Sequence, residues 1–222
     1  MRLHDVEQRT DAWRLLRAGK VTGTRAKALL TKIGKGEAAA RRDLRMLVVS
    51  ERLTGLPQES DYVNADMQWG VDREPDAIAA YEAVTGHLVT LVGFCEHDTL
   101  CGAGTSPDGL VGDHGIVSIK CPKTATHVRY LREGVEPSEH AAQNTHELFV
   151  TGRPWLDFVS FDPRLPENLR LFVRRVTRTA AELAAYEAEL TAFLAECDTE
   201  VSALLTMSNI RGTLAAAVAV AS

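Results

Sequence analysis

The stretch from Ser106 to Lys123 reads SPDGLVGDHGIVSIKCPK and decides which kind of sheet we expect. Its segments Ser106–Gly109 and Gly112–Gly115 have the Pro, Asp and Gly residues typical of tight turns. The run from Ile116 to Lys120 has the apolar and β-branched residues of a short strand. We therefore predict a β-meander of antiparallel hairpins, in which Asp108 ends one hairpin arm and Lys120 ends the next strand.

Helical patterns lie on both sides of this meander, and the β-branched run His87–Phe94 precedes it. Upstream we predict two short helices within residues 10–30, broken at Gly19–Thr24, then helices over Glu37–Leu53 and Val63–Val84, the last kinked or restarted at Pro75. Downstream we predict helices over Thr124–Leu131 and Pro137–Val150, strands over Pro154–Phe161 and Leu169–Arg175, and a final helix over Thr179–Leu205. This order predicts a mixed α/β fold, with a central, mostly antiparallel sheet flanked by helices.

The whole chain of 222 residues is predicted to form one domain. Its parts are a basic helical segment (1–60), the core (61–178), the C-terminal helix (179–206) and a tail (207–222). The sequence contains no apolar run of membrane-spanning length, and its N-terminus lacks the pattern of a signal peptide. The four cysteines have no CxxC spacing, which argues against a zinc site or a disulfide framework. We expect a cytosolic protein.

Charge is distributed unevenly along the chain. The net charge is −5, yet residues 1–50 contain 12 Lys or Arg against 5 Asp or Glu. Such asymmetry can mark a polyanion-binding face on an acidic body, and a solvated helical surface accounts for it equally well.

The end of the predicted hairpin carries the residues with the clearest chemistry. Ser118 and Lys120 are two residues apart on one strand, so their side chains share a face, while Val117 and Ile119 point the other way into the core. An aspartate on one strand beside a lysine on the next is the arrangement of metal-dependent phosphodiester cleavage. The carboxylate of Asp108 would hold Mg²⁺, and the lysine would orient or deprotonate a metal-bound water.

Five segments, in order and with fitting gaps, give this chain its resemblance to the phage lambda exonuclease family, the YqaJ-type viral recombinases of the PD-(D/E)xK nuclease superfamily. They are Gln8–Trp13 with Leu16–Gly19, Val21–Thr24, Trp69–Gly70 with Glu74, Ser106–Leu110 with Ile119–Pro122, and Ala142–Gln143 with Val150–Gly152. The resemblance covers most of residues 6–165 and implies a restriction-endonuclease-like core.

The resemblance implies a catalytic role for several matching residues. Asp108 corresponds to the central metal ligand, Lys120 to the catalytic lysine, and Glu74 to an acidic residue supplied by the helix before the sheet. Ile119 belongs to the same metal site, and Gln143 corresponds to a helix glutamine that lines it.

The resemblance also implies two contacts with the DNA end. Arg17, Thr24 and Ser106 match a pocket for the 5′-phosphate, and an Arg fork with two hydroxyl groups suits a phosphate dianion. Met67 matches an apolar position that wedges the terminal base pair apart. Read without the resemblance, Thr24 is a helix cap, Met67 fills a gap, and Trp13 and Trp69 are packing residues.

The sequence departs from the family at Ser118, where a glutamate is expected, so the site lacks one hard oxygen ligand. Three explanations compete. The carboxylate has moved to the helix of Gln143, where Glu139 is the preferred substitute and Glu147 the other candidate. Alternatively the residue was changed to trap a substrate complex, or the protein is naturally weakened or binds DNA ends without cutting. On the same helix His140 replaces an aromatic residue and is a candidate contact to substrate or metal.

The function implied by the resemblance is a Mg²⁺-dependent (alternatively Mn²⁺-dependent) 5′-to-3′ exonuclease acting on linear double-stranded DNA with 5′-phosphate ends. The family acts in phage or prophage recombination in the bacterial cytoplasm, feeds single strands to an annealing recombinase, and forms a toroidal homotrimer. Two rivals remain: a non-catalytic DNA-end-binding recombination protein, and a related nuclease with different polarity or endonucleolytic cutting.

Overall fold

Eight strands and seven α-helices make up the described chain, which in the computed structural model comprises residues 1–58 and 64–220, with side chains to residue 207. The strands are β1 (Arg2–His4), β2 (Val89–Thr90), β3 (Phe94–Glu96), β4 (Gly104–Thr105), β5 (Gly109–Val111), β6 (Gly115–Lys120), β7 (Trp155–Phe161) and β8 (Leu171–Val176). The helices are α1 (Asp11–Arg17), α2 (Ala26–Leu29), α3 (Ala39–Thr54), α4 (Ala65–Thr85), α5 (Thr124–Glu133), α6 (Ser138–Thr151) and α7 (Ala180–Val220), with 3₁₀ turns at Gly23–Arg25 and Glu167–Leu169. Among these helices, none has the length and apolar character of a bilayer span.

The main sheet has five strands in the order β2-β5-β6-β7-β8. The β5–β6 hairpin is antiparallel and closes with Val111 opposite Gly115, as the turn residues predict. Among the described strands of this sheet, β6 and β7 form the one parallel pair, and α5 and α6 form the long crossover that a parallel connection requires. A smaller antiparallel sheet has the order β1-β3-β4. The predicted mixed α/β fold with a mostly antiparallel sheet is confirmed.

Each face of the main sheet packs against different helices because side chains alternate along β6. Val117 and Ile119 are buried in a cluster with Tyr81 of α4. Ile116 faces the other way and is buried in a cluster with Leu148 of α6. Strand β6 is therefore held between α4 on one side and α6 on the other.

A buried ion pair fixes the N-terminal segment. The Arg25 guanidinium donates two hydrogen bonds of 2.8 Å to the Glu51 carboxylate of α3, which also accepts from the backbone N–H of Gly19 at 2.8 Å. Burial opposes ionisation of Glu51, but the hydrogen bonds from Arg25 and Gly19 hold its pKa below the usual range. The turn between α1 and the first 3₁₀ turn is thereby anchored to α3.

Three sequence expectations differ from the structure. Of the two alternatives predicted at Pro75, the restart is wrong: α4 continues through it, since one missing N–H is tolerated where Ala77 and Tyr81 are fully buried. The run His87–Phe94 is divided between the two sheets, with Gly93 packed so closely on the Val6 carbonyl that a Cβ would lie 2.0 Å from it. The last helix continues to Val220, so most of the predicted tail belongs to α7. The predicted helix start at Val63 and boundary at residue 60 lie outside the described residues.

His146 of α6 connects three elements and makes stability depend on pH. Its Nε2 lies 2.8 Å from the Gly104 carbonyl, which can only accept, so Nδ1 accepts the Tyr186 hydroxyl of α7 at 2.6 Å. Burial lowers the pKa of His146 to about 4. An unfolded histidine titrates near pH ~6.5, so from there down to pH ~4 the unfolded chain binds a proton that the folded ring does not.

We expect the free energy of unfolding to fall by about 2 kcal/mol between pH ~7 and pH ~5 through His146 alone. Urea unfolding of the protein and of His146→Gln at both pH values measures this, because the variant lacks that titration. His114→Gln, in the exposed β5–β6 turn, is the control and should keep the full pH dependence. Equal pH dependence in the protein and in His146→Gln would contradict the assignment.

Candidate active site

Asp108, Ser118 and Lys120 come together at the end of the β5–β6 hairpin. Asp108 immediately precedes β5, and its Oδ2 accepts the backbone N–H of Ile119 at 2.5 Å. The Lys120 ammonium lies 3.6 Å from the same Asp108 oxygen and 3.3 Å from the Ser118 hydroxyl. The predicted pairing of an aspartate on one arm with a lysine on the next is thus present, with both side chains only partly buried.

Glu74 reaches the same region from α4. Its carboxylate accepts a hydrogen bond of 2.8 Å from the guanidinium of Arg9. Burial and the charge of Asp108 raise the pKa of Glu74, while Arg9 opposes the shift, which places Glu74 in the field of Asp108. Together Arg9, Glu74 and Asp108 line a cleft of 390 Å³.

Arg9 is a residue to which the sequence analysis gave no role. It is the only described non-glycine residue with a positive φ, at 70°, a conformation that costs backbone energy. The sequence signal that pointed to Arg9 is its position inside Gln8–Trp13, the first segment that resembles the family.

Gln143 and Glu147 enter the site from α6. The Gln143 amide donates to Glu147 Oε1 at 2.8 Å, and Glu147 is 2% exposed. The other carboxylate oxygen, Oε2, is buried and has no hydrogen-bond partner in the described part of the chain. Burial raises the pKa of Glu147 to about 7, with the Lys120 charge opposing the shift and the Asp108 charge adding to it. Glu147 therefore shares an electrostatic environment with Asp108 and Lys120.

Glu139, the substitute carboxylate favoured by the sequence, has other partners. It forms an ion pair with Arg129 of α5 and accepts a hydrogen bond of 2.9 Å from the Tyr130 hydroxyl. Burial acts in the other direction, but the hydrogen bond from Arg129 lowers the pKa of Glu139 to about 2. The structure thus engages Glu139 in contacts between α5 and α6.

His140 is half-buried beside this ion pair. Its ring lies 5.2 Å from the Phe158 ring, centroid to centroid, and its Nε2 lies 3.3 Å from the Tyr130 hydroxyl. Burial, followed by the charge of Lys120, lowers the pKa of His140 to about 4, so the ring is neutral at neutral pH. It lies on the Lys120 side of α6 as an uncharged group.

The three residues assigned to the 5′-phosphate belong to one contiguous network. The Trp13 indole donates to the Ser106 hydroxyl at 2.8 Å, and the Arg17 guanidinium lies 4.1 Å above the Trp13 ring. Arg17 also approaches the Thr22 hydroxyl at 3.4 Å, which in turn lies 3.4 Å from the Thr24 hydroxyl. Trp13 and Thr22, for which no binding role was predicted, hold this network together.

Met67 stands apart from these clusters, in the first turn of α4. Its side chain is 52% exposed, and its backbone N–H donates to the Asn64 side chain that caps the helix. Beside it, Asp66 pairs with Lys123 at 2.9 Å, which links the start of α4 to the segment after β6. Met67 is therefore presented to solvent near the end of β6.

The oxygen ligands present suit a hard cation bound partly through water. Among the described residues, no three His, Cys, Asp or Glu side chains stand close enough together to form a ready metal cluster. Mg²⁺ does not need one, because it keeps several waters and takes one or two carboxylates together with substrate phosphate. Asp108, Glu74 and Glu147 offer carboxylates that could bind Mg²⁺ in this way. One oxygen of Glu147 has no hydrogen-bond partner among the described residues.

The sheet order, with Asp108 and Lys120 paired at the end of the β5–β6 hairpin, is that of the PD-(D/E)xK nuclease fold class. Residues 12–154 match the model of the YqaJ-like viral recombinase domain. The chain therefore belongs to the YqaJ-like viral recombinase family.

Solved structures agree with this assignment. The alkaline exonuclease LHK-Exo from Laribacter hongkongensis has 41% sequence identity and a TM-score of 0.82, over 90% of this chain and 98% of that one. The structure of LHK-Exo in complex with dAMP matches with 42% identity, the same coverage of both chains and the same TM-score. A phage related exonuclease from Haemophilus somnus 129PT shares the fold, with 15% identity and a TM-score of 0.65 over 86% of this chain and 99% of that one. A comparison with curated protein sequences gave no match.

Proposed function

We propose that this protein is a Mg²⁺-dependent exonuclease that removes nucleotides from the 5′-ended strand of linear duplex DNA. The observation that carries the proposal is the adjacency of two sites. Ser106 belongs to the Arg17 network and Asp108 to the Lys120 pair, and the two residues are separated only by Pro107. An enzyme that releases one nucleotide at a time needs its end-binding pocket beside its cleavage site.

The residues of the site divide the chemistry between them. Mg²⁺ bound here would polarise a phosphoryl oxygen of the substrate and lower the pKa of a coordinated water. Asp108 and Glu74 would hold the ion, with the backbone of Ile119 beside them. Lys120 orients the attacking water or, when neutral, accepts its proton. Water loses a proton and adds to phosphorus, and the bond from phosphorus to the 3′-oxygen of the departing nucleotide breaks. That oxygen takes a proton from solvent, and the shortened strand keeps a 5′-phosphate.

The second candidate function is DNA-end binding without cleavage, and Ser118 is the observation that favours it. A third is cleavage with another polarity or at internal positions. Duplex DNA labelled at the 5′ or the 3′ end separates these functions. Our proposal predicts immediate release of the 5′ label as a mononucleotide and late release of the 3′ label. The end-binding function predicts salt-sensitive binding with neither label released, and internal cutting predicts labelled fragments.

We further propose that the active form is a ring-shaped homotrimer in the cytoplasm of a bacterial host, working with a single-strand-annealing recombinase. Exposed apolar side chains at Val84, Leu88 and Leu91 support contact between copies of the chain. Basic residues need only line the ring interior, which reconciles DNA binding with a net charge of −5. Sedimentation equilibrium should give three times the mass of the chain, and a monomeric mass would contradict the ring.

A further inference from the structure

We infer that Glu147 of α6 supplies to the metal site the anionic oxygen that Ser118 lacks. This inference rests on the proposed function and names the residue that completes its metal environment. It differs from the sequence-based preference for Glu139, which lies two helical turns away on α6.

Alternate side chains of β6 point toward α6. Ile116, Ser118 and Lys120 share one face of β6, because side chains alternate along a strand. Ile116 is buried in the cluster that contains Leu148, the residue after Glu147. Ser118 is fully buried on this face. A carboxylate at position 118 would therefore point toward α6, where the charges of Lys120 and Asp108 act on the carboxylate of Glu147.

The carboxylate of Glu147 is buried and only partly hydrogen-bonded. One of its oxygens accepts from Gln143, whereas the other is buried with no hydrogen-bond partner among the described residues. A buried carboxylate oxygen without a hydrogen-bond partner lowers the stability of the fold, and a bound cation would remove this cost. The backbone at Gly23 closes in on the other side, since a Cβ there would lie 3.4 Å from Glu147 Oε1 and 3.3 Å from Gln143 Cγ. The carboxylate is thus held in place, with one oxygen left to bind.

Glu139, the competing residue, already has two partners. The carboxylate of Glu139 is taken by the guanidinium of Arg129 and by the Tyr130 hydroxyl. To serve as a metal ligand it would have to leave both partners. Among the described residues Glu147 has no cationic partner to release, because its hydrogen bond comes from the neutral amide of Gln143.

Isothermal titration calorimetry of Mn²⁺ binding to the full chain, without DNA, tests the inference. It does not rely on a measurement of activity. Glu147→Gln should weaken Mn²⁺ binding at least tenfold, whereas Glu139→Gln on the same helix should change it less than twofold. The double variant Ser118→Glu/Glu147→Gln should recover affinity to within about threefold of the natural protein, because the carboxylate returns to the strand. Glu147→Gln is close to isosteric and should melt, without metal, at or above the temperature of the natural protein. Should it fail to fold, Glu147→Asp replaces it and is expected to lose several-fold in Mn²⁺ affinity.

Unchanged Mn²⁺ affinity in Glu147→Gln, or the main loss in Glu139→Gln, would overturn the inference. Asp108→Asn separates this failure from failure of the proposed function. If the natural protein binds Mn²⁺ and Asp108→Asn abolishes binding while Glu147→Gln does not, only the inference is wrong. If the natural protein binds no Mn²⁺ either without DNA or with duplex DNA present, both are wrong.

Discussion

Replacement of Asp108 by asparagine is expected to reduce Mg²⁺-dependent release of nucleotides from linear duplex DNA by about a thousandfold. The substitution removes the charge that would hold the cation beside Lys120, which lies 3.6 Å from the Asp108 oxygen. The amide keeps an oxygen that can accept the N–H of Ile119, so the end of the hairpin should remain folded. Acid-soluble nucleotide release, measured against Mg²⁺ concentration, gives the effect directly.

Asp113→Asn is the matched control for this experiment. It makes the same chemical change in the exposed turn of the same hairpin, away from Lys120. We expect its nucleotide release to equal that of the natural protein, and both variants should keep the same melting temperature. Retention of more than about a tenth of the activity by Asp108→Asn would rule out Asp108 as the central ligand.

Replacement of Arg17 by alanine has the second largest expected effect. Release from 5′-phosphorylated ends should fall about 10- to 100-fold, because a charge-assisted bond to a phosphate contributes about 1.5–3 kcal/mol. Release from 5′-hydroxyl ends should fall much less, so the preference for a phosphorylated end should disappear. Single-turnover rates on the two substrates, differing only in the terminal phosphate, measure this change.

Arg42→Ala provides the comparison for a lost cation. Arg42 is an exposed residue of α3 that pairs with Asp43, so its loss should affect both ends equally and slightly. An equal fall on both ends in Arg17→Ala would mean that Arg17 holds the turn around Thr22 rather than the terminal phosphate. Unchanged internal cutting by that variant would instead support an endonuclease.

The hairpin and its Asp108–Lys120 pair were predictable because they depend on local rules. Turn residues fix the connection, and alternation along β6 places Ser118 and Lys120 on one face. The division of His87–Phe94 between two sheets was not predictable, because it arises where Gly93 meets the carbonyl of Val6, distant in sequence.

The choice between Glu139 and Glu147 could not be made from the sequence either. Both are four residues from Gln143, so the helix period treats them alike. What separates them is the tertiary contact of Glu139 with Arg129 on α5 and the burial of Glu147 beneath the first 3₁₀ turn. Similarly, the interaction of Arg9 with Glu74 joins residues on different elements that no periodicity relates.

The most direct test of the proposed function is release of acid-soluble nucleotides from linear duplex DNA with 5′-phosphate ends, with and without Mg²⁺. We predict steady release that requires Mg²⁺ and stops on addition of a chelator, despite the serine at position 118. A folded protein that binds DNA ends but releases no nucleotides at any Mg²⁺ concentration would contradict the proposal and favour an end-binding protein.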